Sequence, residues 1–344
     1  MAKHAFITGI TGQDGSYLAE FLLGKGYEIY GLVRRNSNNP MIRLGELNEL
    51  KKINIIYGNM RDSGSIARAL EISKPDEIYN LAAQSDVGIS FQCPEEAAEV
   101  NYYGLGRLVN EAIRICPHAR IYQASTSEMF GKTDPPQNEN SLFQPVSPYG
   151  QAKLKAHEDY VVGYRNKHGL FICSGFLFNH ESPRRGEHFV TRKITISLAK
   201  VKLGLQKYFT LGNLGAKRDW GYAKDYVEAM WLMLQRDNPD DFIIATGEMH
   251  SVREFTEEAA MFLGMDIEWV GSGAEEKGIN RKTKKTIIEI NPAYLRPNEV
   301  DALKGDFSKA QRILGWEPRT TFKELVRLMT KHDLEHIERE MKLG

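Results

Sequence analysis

Two short stretches carry residue types that can do chemistry together. Ser125-Thr126-Ser127-Glu128 follows an apolar run, Ile121-Tyr122-Gln123-Ala124, and so falls where a buried strand ends. Tyr149-Gly150-Gln151-Ala152-Lys153 sets a phenol and an ammonium four residues apart, on one face of a helix and about one turn from each other. A phenol with an ordinary pKa of about 10 is a poor base at neutral pH. A fixed ammonium one turn away stabilises phenolate and brings it into range for proton transfer. Thr126, Tyr149 and Lys153 suffice to move a hydride, and Glu128 adds a carboxylate base. An enzyme that eliminates or epimerises needs that extra base, whereas a simple oxidoreductase does not. Each stretch alone also fits something plainer, a solvated helix face or a helix cap, so the surrounding elements decide.

Those elements alternate. Residues 3–8 read as a buried strand, followed by Gly9-Ile10-Thr11-Gly12-Gln13-Asp14-Gly15 and a helical pattern with Leu18, Phe21 and Leu22 on one face. Strand, glycine turn, helix is the setting of a dinucleotide site: the glycines allow a tight turn and the helix N-terminus offers amides to pyrophosphate. A second strand, 28–33, ends in Arg34-Arg35, and no acid follows until Glu46. Arginine suits a ribose 2′-phosphate where a carboxylate would suit a free hydroxyl, so NADP is expected over NAD. A solvated basic loop is the alternative. Residues 38–48 form a long polar excursion. A third strand, 53–57, leads to Gly58-Asn59-Met60, placed beside adenine, and a fourth, 76–81, leads to Ala82-Ala83-Gln84-Ser85. A long helix over 94–116, a fifth strand at 120–124, the Tyr-Lys helix running to about residue 167 and a sixth strand at 171–177 complete an α/β, Rossmann-like, doubly wound parallel sheet.

From Asn179 the texture changes. Residues 179–186 are polar and turn-rich, and basic-plus-aromatic islands recur at Arg192-Lys193, at Lys217-Arg218-Asp219-Trp220 and at Tyr294-Leu295-Arg296-Pro297-Asn298-Glu299. Separated arginines suit an anionic ligand such as a diphosphate, or surface ion pairs. Between the islands lie a helix with Asp225, Tyr226 and Trp231 and a strand at 242–246. Ser251-Val252-Arg253-Glu254 and Thr321-Phe322-Lys323-Glu324 have the form of capping boxes. The expected division is a dinucleotide-binding domain over 1–178, with returns to the sheet around 219–246. A smaller, interleaved C-terminal α/β substrate domain covers 179–218 and 247–344. His332 and His336 have helical metal-pair spacing but no third ligand near, so no metal is expected, and Lys282-Thr283-Lys284-Lys285 reads as a solvated loop.

Composition narrows the class. Of 344 residues 42% are hydrophobic and 26% charged, with a formal net charge of +0, which argues against nucleic acid or an anionic membrane as partner. Three scattered cysteines suggest free, mostly buried thiols in a reducing compartment. Strand-like residues from Ala5 leave no room for a signal peptide and no apolar run approaches membrane-spanning length, so a cytoplasmic protein is expected.

The glycine turn, the Ser-Thr-Ser-Glu stretch and Tyr149/Lys153 resemble the extended short-chain dehydrogenase/reductases acting on nucleotide sugars. Arg34-Arg35-x-Ser37, 81–85, 179–186, 190–193, 217–221 and Arg296-Pro297-x-Glu299-Val300-Asp301 resemble, within them, the GDP-mannose 4,6-dehydratase family. The resemblance implies Thr126, Glu128, Tyr149 and Lys153 as the catalytic group. It implies NADP held by Gly9, Thr11, Gly12, Gln13, Asp14, Gly15, Arg34, Arg35, Asn59, Met60, Leu81, Ala83, Ser85, His180 and Arg185, besides Tyr149 and Lys153. It implies GDP-mannose held by Ser85, Asn179, Lys193, Arg218, Tyr294, Arg296 and Glu299, with Thr126 and Glu128 at the reacting sugar. Asn59-Met60 departs from the Asp-Leu of the family and loses a charge near adenine. Glucose dehydratases of the same group carry Asp at the position of Ser127, so the leaving hydroxyl here would take its proton from water or from Glu128. A GDP-sugar epimerase or 4-ketoreductase and a non-catalytic NADP sensor stay open as alternatives. A homodimer or homotetramer is implied.

Overall fold

The structure, a computed structural model, describes residues 2–35, 41–45, 52–294, 300 and 302–343. Arg296, Glu299 and most of the 38–48 excursion lie outside the described residues.

The centre is one seven-stranded parallel sheet made of β1 (His4–Thr8), β2 (Glu28–Val33), β3 (Ile53–Tyr57), β4 (Glu77–Asn80), β5 (Arg120–Thr126), β6 (Ile172–Leu177) and a later strand, Phe242–Ile244. Read across the sheet the order is β3, β2, β1, β4, β5, β6 and then Phe242–Ile244. Parallel strands need crossovers, and helices therefore cover both faces. The core residues divide accordingly. Ala5 and Ile7 of β1 join one apolar layer with Tyr122 and Cys173, while Phe6 joins the opposite layer with Ile121 and Ile172. Burial on both faces is why these strands read as continuous apolar runs rather than alternating ones.

Two long helices flank the site. Pro94–Ala98, a π turn at Glu99–Tyr103 and Gly104–Ile115 run on from one another, so the expected helix over 94–116 contains a widened turn. Pro148–Ala156 continues likewise through a π turn, His157–Val162, into Gly163–His168. Ser147 caps its first turn, its Oγ accepting from Gly150 N at 3.0 Å, and Pro148 sits at the first helical position, where no N–H is needed.

The remaining strands are short: β7 (Asn179–Glu181), β8 (Phe209–Leu211), β9 (Lys217–Arg218), β10 (Trp220–Tyr222), β11 (the Phe242–Ile244 strand), β12 (His250–Ser251), β13 (Ile267–Val270), β14 (Lys277–Asn280), β15 (Thr286–Ile290) and β16 (Ala302–Leu303). Residues 179–186, read as polar and turn-rich, contain β7, which pairs with β10 so that Asn179 faces Trp220. β9 is flanked by β12 and β16, and β13, β14, β15 and β8 form a four-stranded sheet. A second core, centred on Trp220, Phe255, Phe322 and Met329, joins the Val190–Lys202, Val252–Phe262 and Phe322–Leu343 helices. Both expected capping boxes are present: Ser251 N donates to Glu254 Oε2 at 2.6 Å and Thr321 N to Glu324 Oε2 at 2.9 Å. Ala310 and Trp316 return to the main core beside Tyr226. Lys282 to Lys285 sit in the exposed β14–β15 turn, as expected of a solvated loop.

Candidate active site

The glycine turn forms the floor of the crevice. Gly9 has φ +70, and a Cβ there would lie 2.8 Å from Ala82 N, while one on Gly15 would lie 2.3 Å from Gly9 O. Side chains are excluded because β1, the turn and the Gln13–Gly24 helix touch through backbone. That helix starts at Gly12 without a side-chain cap, so the chain leaves its first amides to an anion. Thr11 borders the turn, and Gln13 and Asp14 are engaged from β7: Gln13 Nε2 donates to His180 O at 3.0 Å, and Ser182 Oγ donates to Gln13 Oε1 at 2.7 Å. His180 Nε2 lies 2.8 Å from Asp14 Oδ2 and its Nδ1 2.7 Å from Phe178 O. Both ring nitrogens face acceptors, so the ring must donate from both and is an imidazolium. Burial alone would lower the His180 pKa, but the Asp14 charge and the hydrogen bonds outweigh it and the shift is upward. For Asp14 burial acts upward and His180 outweighs it downward.

At the other end of the crevice, Arg34 and Arg35 line a cavity of ≈ 600 Å³ with Tyr57, Gly58, Asn59, Asp62, Gly64, Ser65 and Arg68. Arg68, Ser65 and Tyr57 went unnoticed in the sequence. Arg68 lies on the helix after the strand end, Ser63–Ser73, and is brought back by donating to Tyr57 O at 2.8 Å. Asn59 lines the cavity, its Oδ1 accepting from Arg61 N at 3.0 Å. The Met60 side chain does not reach the cavity. It is 4% exposed and packs in the core against Gly104, so any cofactor contact there is through its backbone. Leu81, Ala83 and Ser85 follow the end of β4, and Ala83 and Ser85 are exposed.

The reacting centre is at the end of β5, which runs two residues further than expected and takes in Thr126. The chain then tightens into a 3-10 turn, Ser127–Met129, with Thr126 Oγ1 accepting from Glu128 N at 3.2 Å. Glu128 is half-buried at this bend. A Cβ on Gly150 would come within 2.7 Å of Glu128 O, so only glycine lets the Tyr-Lys helix dock on the turn that carries Glu128. Tyr149 is 8% and Lys153 2% exposed. Lys153 Nζ donates to Ala124 O at 2.8 Å and lies 6.0 Å from the centroid of the Tyr149 ring. Burial lowers the Lys153 pKa to about 8. Tyr149 departs from expectation: burial pushes its pKa up to about 12, with Thr126 and Arg185 acting downward and Glu128 and Asp14 upward. Burial of the phenolate is the largest influence, and a positive charge brought to the phenol would act against it.

The other half of the crevice is assembled from separate segments. Asn179 opens β7, two residues after the end of β6, and Arg218, 8% exposed, stands two residues before Trp220, the partner of Asn179. Lys193 Nζ sits 3.8 Å over the Tyr294 ring and lowers the phenol's pKa together with a hydrogen bond from Thr210, the larger influence. Arg185 lies over the Phe189 ring at 3.6 Å with Nε 3.2 Å from Glu181 Oε2. Arg192 is not available to an anion: it is 6% exposed, and Asp333 on the last helix takes its guanidinium at 2.8 and 3.1 Å. Asp219, also missed, is fully buried; its Oδ1 accepts from Thr246 N and Oγ1, and its Oδ2 from Gly247 N and Gly305 N. A charged residue beside a tryptophan at a strand end was the only sign of it. Ser125 Oγ and Gln84 Oε1 are buried without a hydrogen-bond partner among the described residues, as befits a crevice built for a polar ligand. The glycine cradle, the uncapped helix, the arginine-lined cavity and these orphan atoms together fit a dinucleotide. Among the described residues no cluster of three metal-ligating side chains occurs, His332 and His336 stack on each other, and no helix is long and apolar enough to cross a membrane.

A parallel sheet in this order, entered by a glycine turn and with Tyr and Lys on a helix docked beside the end of β5, defines an enzyme of the short-chain dehydrogenase/reductase type with a nicotinamide cofactor. Solved structures agree in fold: a UDP-glucose 4-epimerase from Thermus thermophilus in complex with NAD has TM-score 0.79 at 25% identity over 96% of this chain and 98% of its own. A dTDP-glucose 4,6-dehydratase from Streptomyces venezuelae, with NAD bound, has TM-score 0.81 at 21% identity over 99% of each chain. The sequence is more particular. Residues 6–329 match the family model for GDP-mannose 4,6 dehydratase. The GDP-mannose 4,6 dehydratase of Drosophila melanogaster is 52% identical over 97% of this chain and 86% of its own length. That of Homo sapiens is 52% identical over 96% and 91%, and that of Vibrio cholerae 47% over 98% and 96%. The chain belongs to the GDP-mannose 4,6-dehydratase family.

Proposed function

We propose that this enzyme converts GDP-D-mannose to GDP-4-keto-6-deoxy-D-mannose and water, with NADP bound in the crevice. The observation that carries this is Glu128, a half-buried carboxylate on the turn after Thr126, docked on the Tyr149/Lys153 helix. The nicotinamide cofactor, when bound, supplies a positive charge and a place to store and return one hydride. Tyr149 takes the proton of the 4-hydroxyl, and Thr126 hydrogen-bonds the same oxygen. The 4-ketone acidifies the hydrogen on C5, which Glu128 removes as a general base. The C6 hydroxyl leaves as water by taking a proton from Glu128 or from solvent, and C5 is reprotonated once C6 is reduced, so the two protons taken from the 4-hydroxyl and from C5 balance the two given back. With the hydride returned to the sugar, the net change would be loss of water. Gly9, Gly12 and the first turn of the following helix would hold the cofactor's pyrophosphate, and Arg34, Arg35 and Arg68 a 2′-phosphate. Asn179, Lys193, Arg218 and Tyr294, with Arg296 and Glu299, would hold the GDP-sugar.

The decisive experiment is Glu128→Gln incubated with GDP-mannose and analysed by mass spectrometry. Loss of the dehydrated product by about 10²–10⁴-fold, with hydride transfer from C4 retained, is expected for removal of a general base. Near-normal dehydration by Glu128→Gln overturns the mechanism. The enzyme would open GDP-deoxyhexose synthesis of the fucose or rhamnose type, in the cytoplasm, as a homodimer or homotetramer. Two buried thiols and a neutral formal charge accord with the cytoplasmic setting.

A further inference from the structure

A row of polar side chains crosses the middle of the sheet at one level. Thr8 of β1 is in register with Asn80 of β4, Asn80 with Gln123 of β5, and Gln123 with Ser174 of β6. All four are at most 2% exposed. Parallel partners in register project to the same face, so one buried face carries four polar groups where apolar ones would cost less. The first three are joined in one direction, and Ser174 turns to His157 instead. Ala82 N donates to Thr8 Oγ1 at 3.1 Å, and Thr8 Oγ1 to Asn80 Oδ1 at 2.6 Å. Asn80 Nδ2 donates to Gln123 Oε1 at 2.7 Å, and Gln123 Nε2 to Ala124 O at 2.8 Å. Turning either amide over would set oxygen against oxygen, so the orientation is unique.

Both ends of the β5–β6 part of the row reach the Tyr-Lys helix. Ala124 O, which accepts from Gln123, also accepts from Lys153 Nζ. Ser174 Oγ lies 2.9 Å from Nδ1 of His157, one turn beyond Lys153. We propose that Gln123 is a positioning residue for Lys153: it fixes the direction of the Ala124 carbonyl and so the place of the ammonium beside Tyr149, while Ser174 holds the same helix one turn on. A buried row that is fully satisfied specifies one geometry, whereas an apolar one would let the carbonyl and the helix adjust. The inference rests on the proposed roles of Tyr149 and Lys153.

The test is Gln123→Glu. The carboxylate keeps the length of the side chain and still accepts from Asn80, but when ionised it cannot donate to Ala124 O and sets a negative charge near the ammonium. Other charges around the pair are Glu128 from the turn after β5, Asp14 from the first helix and Arg185 from the loop after β7, with His157 on the same helix; all are retained. A negative charge favours ammonium over amine and phenol over phenolate. The acid limb of the kcat profile should therefore move to higher pH by about one unit, with kcat at pH 7 down about tenfold. KM for GDP-mannose should stay within about twofold, since no substrate contact is touched. The phenolate absorbance that separates wild type from Tyr149→Phe should move with the limb. A folded Gln123→Glu enzyme with wild-type limb and kcat, or with kcat lowered and the limb unmoved, overturns the proposal. Should that variant not fold, Ser174→Ala removes one oxygen and should lower kcat several-fold at unchanged KM; unchanged kcat overturns the proposal. Lys153→Met is the companion: near-normal activity there overturns the role of Lys153 and the positioning together. An inactive Lys153→Met beside an unaffected Gln123→Glu removes the positioning alone.

Discussion

The two halves of the crevice are built by different means. On the proposed dinucleotide side five of the groups sit at, or within a few residues of, the end of a strand in one sheet: Gly9 after β1, Arg34 after β2, Asn59 after β3, Ala83 after β4 and Thr126 closing β5, with Tyr149 and Lys153 on the helix docked beside them. Their relative positions follow from the sheet's own ladder. On the sugar-nucleotide side Asn179, Lys193, Arg218 and Tyr294 come from separate segments. Near Arg218 the loops are gathered by one side chain, Asp219, whose carboxylate collects the amides of Thr246, Gly247 and Gly305. A ladder spreads its tolerance over many hydrogen bonds; a hub concentrates it in one residue.

The contrast can be broken from either side. Tyr149→Phe should have the largest effect, a loss of about 10²–10⁴-fold in kcat with thermal stability and GDP-mannose binding unchanged, measured by steady-state kinetics and calorimetry. If the phenol is dispensable, the strand-end half is not the chemical half. Asp219→Ala comes next. Three backbone amides lose their acceptor, and at about 1–3 kcal/mol for each buried donor left unpaired the loss should exceed about 3 kcal/mol, with KM for GDP-mannose raised well above that of any strand-end variant. An equal KM for both would erase the distinction.

Asp219 also has a pH signature. Burial outweighs its hydrogen bonds and pushes its pKa up to about 6, above the ordinary carboxylate value of 3.8. A raised folded-state pKa means the native protein holds this proton more tightly than the unfolded chain. The associated stability is complete below about pH 4 and is lost as pH rises towards 6. The difference in Tm between wild type and Asp219→Asn should therefore change across that window and flatten above it.

Smaller effects test the adenosine end. Arg35→Gln should weaken NADP binding by about 10–100-fold and leave NAD binding unchanged, as direct titration would register, because a charge-assisted contact to phosphate is worth about 1.5–3 kcal/mol. Equal losses for both cofactors would remove the preference for NADP. Thr321→Ala should cost only about 1 kcal/mol of stability and nothing in activity, since its capping box with Glu324 serves the helix alone.

Legibility followed the same division. The glycine turn, Arg34-Arg35, Ser-Thr-Ser-Glu and Tyr-x-x-x-Lys could be read because each is local: a strand end, a turn and a helix face are encoded within a few residues. Arg192 stayed open between an anionic ligand and an ion pair because an arginine in a basic island reads alike in either case; Asp333, 141 residues later, takes it. For Met60 the direction of the side chain was not legible, because an apolar residue after a strand can turn to the crevice or to the core, and its packing against Gly104 sets it in the core. Helical spacing brought Lys153 near Tyr149 but could not show the depth of burial, which pushes the phenol up.

Residue order alone was enough to set the alternation of strands and helices, the chemistry of each motif and the presence of a carboxylate beside the Tyr-Lys pair. Periodicity and turn chemistry act over a handful of residues and need no fold to be read. The polar row from Thr8 to Ser174, the Asp219 hub and the actual protonation balance of Tyr149 required the folded chain. Register between distant strands and removal from water are properties of the packed molecule, and no local pattern carries them.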